Sequence, residues 1–297
     1  MSLNDFHPEL RRYARVLPRR MVTASTLRSV RRVVPLMGLG GARPDESLTL
    51  SSGAQVRIHR PLNGRLRGPA LLWLHGGGYI MGTPSVDDAI CRAFADQLGI
   101  TAVAAGYRLA PENPYPAGLE DAYFALTWLA GLDSVDATRV AIGGESGGAG
   151  LAAALAITAR DRGEITPVLQ VLAYPMLDDR SAHDPRLAKR EYRLWNQQTN
   201  ALAWRYYLNG ADPEAAVPAR VHDLSGVAPA WIGVGTLDLF HGENVAYAQR
   251  LTDAGVSCQL DTVPGAFHAF DRVAPKANIS RDFFARQCDA LLSAFSQ

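Results

Sequence analysis

A serine flanked by glycines is the clearest chemical signal in this chain. Residues 144–148 read Gly-Glu-Ser-Gly-Gly and lie between an apolar run that ends at Ile142 and a helix-like segment of small residues. A serine on a sharp strand-to-helix turn needs glycine two positions away on each side, because larger side chains would clash there. The following helix offers free N–H groups to a developing negative charge. The pattern predicts that Ser146 is a nucleophile; the alternative is a glycine-rich turn without a reactive serine.

A second glycine motif follows the apolar run at 70–74. Residues 75–78 read His-Gly-Gly-Gly, and consecutive glycines let backbone N–H groups approach a substrate closely. A phosphate-binding loop is the alternative, but the Lys-Ser/Thr pair of such loops does not follow here. We therefore expect an oxyanion hole formed by the N–H groups of Gly77, Gly78 and Gly147.

A nucleophilic serine needs a general base, and the base needs a carboxylate that orients it. Among the seven histidines, His268 follows the last predicted strand, at the sheet edge where catalytic groups of open α/β sheets collect. His241 is the main alternative, although it precedes a helix, whereas His75 is expected to brace its own loop. Asp238 directly follows the preceding predicted strand. We therefore predict that Ser146, Asp238 and His268 form a catalytic triad, in that chain order.

The elements that must position these residues alternate along the chain. Apolar runs bounded by Gly or Pro are typical of strands buried on both faces of a parallel sheet. Helix-like segments separate them, and a hairpin turn at 52–53 precedes them. The alternation predicts a doubly wound α/β sheet flanked by helices. The runs lie at 70–74, 100–105, 140–142, 168–173, 231–234 and 258–263.

Two segments interrupt this alternation. Residues 178–222 are charged and aromatic, hold no strand-like run, and lie between two predicted strands. A structureless loop of this length is unusual, which favours a functional cap. We therefore predict a core of residues 46–177 and 223–297, with a helical cap formed by residues 1–45 and the insertion at 178–222. Its bulky rings are expected to close over a bound acyl chain: Trp195, Trp204, Tyr206 and Tyr207.

Composition narrows the class of protein. The 30 Lys and Arg residues against 29 Asp and Glu residues give a net charge of +1, which argues against a nucleic-acid binder. The sequence lacks an 18-residue apolar run, so stable membrane insertion is not expected. The N-terminus lacks the apolar core of a secretory signal, and the cysteines lack metal-ligand spacing. These features predict a cytoplasmic location.

The first 45 residues have an excess of positive charge, with nine arginines against Asp5, Glu9 and Asp45. A basic amphipathic helix at an anionic membrane surface is one interpretation, and a solvated helical face is the simpler one. The arginines concerned are Arg11, Arg12, Arg15, Arg19, Arg20, Arg28, Arg31, Arg32 and Arg43.

Taken together, the motifs resemble the hormone-sensitive-lipase-like family of bacterial carboxylesterases. The resemblance covers about residues 68–270 and includes the run Tyr-Arg-Leu-Ala-Pro-Glu at 107–112. It implies an α/β-hydrolase fold, a cap built partly from the N-terminus, and a preference for short or medium acyl chains. The family usually has Asp-Ser-Ala at the nucleophile, where this chain has Glu145 and Gly147. It also often has Asp-Pro-Leu at the acid, where residues 238–240 read Asp-Leu-Phe.

The expected activity is hydrolysis of a small-molecule carboxylic ester through an acyl-enzyme, with no metal or other cofactor. A non-catalytic small-molecule receptor of the same fold is one alternative, but the receptor relatives lack the catalytic histidine that is present here as His268. An amidase or peptidase is the other alternative, because the fold hosts many chemistries. The sequence leaves open the natural substrate and whether the chain forms a homodimer.

Overall fold

A central sheet organises the molecule. The computed structural model describes residues 2–38, 41–62, 67–188 and 190–296. Eight strands occur within these ranges: β1 (Glu46–Thr49), β2 (Gln55–His59), β3 (Gly68–Leu74), β4 (Thr101–Ala105), β5 (Val135–Glu145), β6 (Gln170–Ala173), β7 (Ala230–Gly235) and β8 (Cys258–Val263).

The strand order across the sheet is β1-β2-β4-β3-β5-β6-β7-β8. The first two strands form an antiparallel hairpin, and β2 also runs antiparallel to β4. All neighbouring strands from β4 across to β8 in this order pair in parallel. The carboxyl ends of β3, β5, β7 and β8 therefore meet at one edge of the sheet. The predicted mostly parallel sheet with a leading hairpin is confirmed.

Helices cover both faces of the sheet. Those of the core are α3 (Asp88–Leu98), α4 (Ala117–Ala130), α5 (Gly147–Arg162), α9 (His241–Asp253), α10 (Phe270–Val273) and α11 (Asn278–Phe295). The remaining ones are α1 (Arg11–Val16), α2 (Leu27–Val33), α6 (Pro185–Ala188), α7 (Gln197–Leu208) and α8 (Pro213–Ala216). Short 3₁₀ turns occupy residues 3–5, 8–10, 34–38, 84–87, 179–183 and 218–220.

Each face of the sheet buries its own apolar layer, because successive side chains of a strand point to opposite faces. On one face, Leu72 and Ile142 pack in the layer that includes α4 and α5. On the other face, Trp73 and Trp231 pack in the layer that includes α3 and α11. All four of these side chains are fully buried. The strands that carry the candidate functional residues are therefore held rigidly between two helical layers.

Two helical segments extend this layered core, since buried residues of both belong to its apolar layers. Residues 2–38, here called the N-terminal arm, hold α1 and α2, and residues 178–222, here called the insertion, hold α6, α7 and α8. They are hydrogen-bonded to each other, since Arg193 Nε donates to the carbonyl of Ala14 at 2.7 Å. The Leu194 N–H donates to the carbonyl of Pro18 at 2.9 Å. Every helix in the described part of the chain is too short or too polar to cross a lipid bilayer.

Candidate active site

Ser146 occupies the turn between β5 and α5. Its backbone has φ 54° and ψ −120°, a left-handed conformation that residues other than glycine rarely adopt. The Ser146 N–H donates to the carbonyl of Ala173 at 2.9 Å, and its own carbonyl accepts from the N–H of Met176 at 3.1 Å. These two bonds attach the turn to β6 and the segment after it. The surrounding structure therefore holds the strained serine in place.

The glycines two positions away from Ser146 are required by the packing of this turn. A methyl group on Gly144 would lie 2.5 Å from the carbonyl oxygen of Leu74. A methyl group on Gly148 would overlap the carbonyl oxygens of Leu74 and His75. Because both contacts are with backbone, no side-chain movement relieves them. The glycine spacing thus follows from the close approach of β3 and its loop to the nucleophile turn.

A continuous hydrogen-bond chain runs from Ser146 through His268 to Asp238. The Oγ atom of Ser146 lies 2.9 Å from Nε2 of His268, and Nδ1 of His268 lies 2.8 Å from Oδ2 of Asp238. With the proton on Nδ1, the serine hydroxyl donates to Nε2 and the imidazole donates to the carboxylate. The second carboxylate oxygen of Asp238 accepts from the N–H of Phe240 at 2.9 Å. The structure therefore brings together the three side chains expected from the sequence.

The loops that carry Asp238 and His268 are bonded to each other. The Leu237 N–H donates to the carbonyl of Ala266 at 3.0 Å, and the Gly265 N–H donates to Thr236 Oγ1 at 2.9 Å. These contacts follow the carboxyl ends of β7 and β8, which are neighbours in the sheet. The pairing of the two strands therefore sets the distance between acid and base.

The N-terminal arm braces two of the loops at this edge. The His7 N–H donates to the carbonyl of Gly265, three residues before His268, at 2.9 Å. In addition, Arg31 donates from Nε to the carbonyl of Ile80 at 2.6 Å and forms an ion pair with Glu112 at 2.7 Å. Arg31 therefore has a structural role, because it ties the arm to the protein. The arginine-rich composition of the segment did not indicate this role.

In the described part of the chain, neither of the other two histidines considered from the sequence is hydrogen-bonded to Ser146. His241 is the first residue of α9, and its half-buried position lowers the pKa of the imidazole. His75 is buried, donates from Nδ1 to the carbonyl of Gly76 at 2.8 Å and stacks on Tyr107 at 4.2 Å. Burial lowers the pKa of His75 to about 4, so this ring is neutral at neutral pH.

The loop at 75–82 adjoins the start of α5. Gly77 and Gly78 have φ of 116° and 58°, values that glycine adopts without strain. A methyl group on Gly147 would lie 2.6 Å from the nitrogen of Gly78. The backbones of Gly78 and Gly147 are therefore in direct contact beside Ser146, which suits the joint binding of one small anionic group.

Comparison with known proteins identifies the family. A family described as having the alpha/beta hydrolase fold matches residues 71–272.

The chain belongs to this α/β-hydrolase family.

Its relatives narrow the class further. The hydrolase is 36% identical over 242 residues to the ethyl acetate hydrolase of Pseudomonas putida, covering 77% of this chain and 76% of the relative. It is 32% identical over 279 residues to the esterase LipI of Mycobacterium tuberculosis, covering 91% and 83%. Esterase LipW from Mycobacterium marinum superposes with a TM-score of 0.89 at 34% identity, covering 100% of this chain and 98% of that one. A bacterial heroin esterase superposes with a TM-score of 0.90 at 31% identity, covering 99% of each chain.

These matches confirm the predicted membership in the hormone-sensitive-lipase-like family and the prediction of a carboxylic ester hydrolase. They also favour an enzyme over the non-catalytic receptor that the sequence left open.

A buried polar network beneath the nucleophile was missed at the sequence level. Glu145 precedes the nucleophile; its carboxylate pairs with Arg272 Nε at 3.3 Å and lies 3.3 Å from the Tyr174 hydroxyl oxygen. Arg272 also binds Asp87 at 3.0 Å, and Tyr174 donates to Asp271 at 2.9 Å.

The network connects the nucleophile turn of the hydrolase with α10, which follows His268. Burial, together with the nearby Glu145, raises the pKa of Asp87 and raises that of Asp271 to about 6. Its members are spread over the chain and share no local motif. The sequence signal for this network was therefore Glu145 alone, which stands where the family usually has aspartate.

Aromatic rings surround the imidazole of His268. Tyr174 and Phe240 meet it edge to face, with ring centroids at 5.0 Å and 5.2 Å. Trp195 of the insertion lies 6.4 Å away. The ring centroids of Trp204 and Tyr207 lie 5.4 Å and 4.1 Å from that of Tyr79. Of the rings expected over the acyl chain, Trp195 is therefore the one placed beside the imidazole.

Proposed function

We propose that this hydrolase is a serine carboxylesterase that cleaves short- to medium-chain esters through an acyl-enzyme intermediate. In this proposal Ser146 is the nucleophile, His268 the general base and acid, and Asp238 the residue that orients the imidazole. The observation that carries the proposal is the hydrogen-bond chain of 2.9 Å and 2.8 Å through these three side chains. Both distances are within the range in which protons are transferred.

The first half of the reaction forms the acyl-enzyme. His268 Nε2 takes the hydroxyl proton of Ser146 while Oγ attacks the ester carbonyl carbon. The carbonyl oxygen becomes an oxyanion that accepts hydrogen bonds from the N–H groups of Gly77, Gly78 and Gly147. The intermediate then collapses, the bond to the alcohol oxygen breaks, and the alcohol leaves with the proton held by His268.

Water completes the cycle. It transfers a proton to His268, attacks the acyl carbonyl, and releases the carboxylic acid as Ser146 regains its proton. The Asp238 side chain is fully buried and the His268 side chain is 7% exposed, so the carboxylate stabilises the imidazolium in a nearly water-free site. Backbone donors to an oxyanion contribute about 3–4 kcal/mol each in such reactions.

A small ester substrate is supported by the names of the relatives. One is called an ethyl acetate hydrolase, and another, from Streptomyces hygroscopicus, is called an acetyl-hydrolase. Each methylene buried in an apolar pocket adds about 0.8 kcal/mol of binding, so affinity rises with chain length only while the pocket has room. We expect kcat/KM to be highest for acyl chains of roughly four to eight carbons.

The direct test is covalent labelling combined with paired substrates. A p-nitrophenyl alkylphosphonate should add one equivalent of phosphonyl group to the wild type at Ser146, as mass spectrometry of the peptides would show. The wild type should cleave p-nitrophenyl butyrate and leave the matching butyric p-nitroanilide almost uncleaved. Equal rates on the two substrates would favour the amidase, and activation by insoluble triglyceride would indicate a true lipase.

A cytoplasmic location and a homodimer stay predictions. Cys91, Cys258 and Cys288 are free thiols in the structure, which supports a reducing compartment. Light scattering on the purified chain tests the homodimer, and fractionation of the source cells tests the location.

A further inference from the structure

The indole of Trp195 lies directly on the glycine loop of the proposed oxyanion hole. A methyl group on Gly78 would lie 2.5 Å from Cζ2 of Trp195 and would overlap Cη2 as well. The six-membered ring of the indole thus touches the backbone of Gly78, and the centroid of the indole lies 6.4 Å from that of His268. The ring therefore spans the gap between the oxyanion loop and the proposed base.

The insertion and the N-terminal arm hold this ring in place. The indole Nε1 donates to Oδ1 of the buried Asn200 at 3.4 Å, and Asn200 Nδ2 donates to Ser181 Oγ at 2.9 Å. The preceding residue, Leu194, is bonded through its N–H to the carbonyl of Pro18 in the arm. Trp195 is 3% exposed. Because it is fixed from both segments, the indole forms a wall of defined position.

The reaction geometry assigns this wall to one part of the substrate. In the tetrahedral intermediate the oxyanion points to the N–H groups of Gly77, Gly78 and Gly147, and the leaving oxygen lies beside His268 Nε2. The acyl chain is the remaining substituent of the carbonyl carbon, and the Trp195 indole, in contact with Gly78 and beside His268, is the apolar surface that the insertion presents at this site.

We propose that Trp195 determines the upper limit of acyl-chain length in this esterase, so that its ring selects short acyl esters over long ones. The proposal rests on the serine esterase function proposed above. It separates Trp195 from Trp204, a second buried indole of the insertion, whose ring packs against Tyr79 and Tyr207.

The experiment compares Trp195→Ala, Trp195→Phe and the control Trp204→Ala on p-nitrophenyl esters from two to twelve carbons. The readout is the ratio of kcat/KM for the twelve-carbon ester to that for the four-carbon ester. Each newly buried methylene is worth about fourfold in kcat/KM, so Trp195→Ala should raise the ratio at least about tenfold. Trp195→Phe removes less volume and should raise it about threefold.

The control separates pocket size from general loosening. Trp204→Ala removes an equally large buried ring from α7 of the same insertion and should destabilise the fold while changing the ratio by less than about twofold. If both alanine variants raise the ratio equally, or if neither tryptophan variant at 195 changes it, the proposal is wrong. A second series of acetates with alcohols of increasing size should show little change, and a shift confined to that series would also overturn it.

Failure of this inference is distinguishable from failure of the proposed function. Phosphonate labelling of Ser146 in the wild type reports on the nucleophile independently of chain length. Labelling with an unchanged ratio overturns only the role of Trp195, whereas absence of labelling overturns the esterase mechanism itself. If Trp195→Ala does not fold, Trp195→Phe retains an aromatic ring on Gly78 and decides the question through the same ratio.

Discussion

Gly147 and Gly78 are in backbone contact beside the nucleophile. A methyl group on Gly147 would lie 2.6 Å from the Gly78 nitrogen and 2.9 Å from that of Tyr79. Real Cβ atoms do not approach backbone this closely, so the methyl group would have to displace the loop. Gly147 therefore sets how near the oxyanion loop comes to Ser146, at a position where the family usually has alanine.

Gly147→Ala is expected to lower kcat about tenfold to a hundredfold with little change in KM. The displaced N–H groups would be misaligned with the oxyanion, which forms only in the transition state. Gly242→Ala is the matched control, because a Cβ there meets nothing within 4 Å. It should leave kcat unchanged. Steady-state kinetics on p-nitrophenyl butyrate measure both, and equal kcat for Gly147→Ala and wild type would contradict this account.

Ser146→Ala should lose nearly all ester hydrolysis, with roughly a thousandth or less remaining from the oxyanion hole. Its fold should persist, since the bonds of the turn to Ala173 and Met176 use only backbone atoms. Ser146→Gly should be equally inactive but melt at a higher temperature than Ser146→Ala, because glycine tolerates the φ of 54°. Kinetics and calorimetry test these points, and a tenth of wild-type activity in either variant would rule out Ser146 as nucleophile.

His268→Ala should be as damaging as the serine substitution, and the double variant little worse, because triad members act as a unit. His241→Ala provides the control, since the ring within hydrogen-bond distance of Ser146 is that of His268. Its activity should stay within about tenfold of wild type. Comparable losses from the two histidine variants would mean that the base is wrongly assigned.

His75 should make the stability of the hydrolase depend on pH. Burial lowers its pKa from 6.5 to about 4, so between these values the unfolded chain binds a proton that the native state does not. Stability from this group is complete above pH 6.5 and is lost as the pH falls toward 4, by about 3 kcal/mol at most.

The measurement is the difference in unfolding free energy between wild type and His75→Asn, from urea titrations at pH 8, 7 and 4.5. The difference should be constant between pH 8 and 7 and should fall by about 2–3 kcal/mol at pH 4.5. Burial raises the pKa of Asp271 to about 6, an effect of opposite sign, but this carboxyl is present in both proteins. A difference that does not vary with pH would show that His75 is not buried in its neutral form.

Local sequence patterns determined the sheet, the nucleophile turn and the position of the glycine loop. Ser146 is recognisable from the sequence because its strained turn requires glycine at 144 and 148, and these residues lie within five consecutive positions. The buried strands are recognisable because they are apolar on both faces. Such features depend on near neighbours in the chain, so the sequence reports them directly.

Only the tertiary structure decided which distant side chains share the site. The ring of His268, rather than that of His241, lies within 2.9 Å of Ser146 because β8 pairs beside β7 and the Gly265 loop is bonded to both Thr236 and the N-terminal arm. Trp195 and Trp204 lie close together in the same aromatic insertion, yet only Trp195 lies on Gly78, because the arm and Asn200 orient its ring. The pairing of Glu145 with Arg272 spans more than a hundred residues. Contacts of this kind depend on the packing of separate elements, which no local pattern specifies.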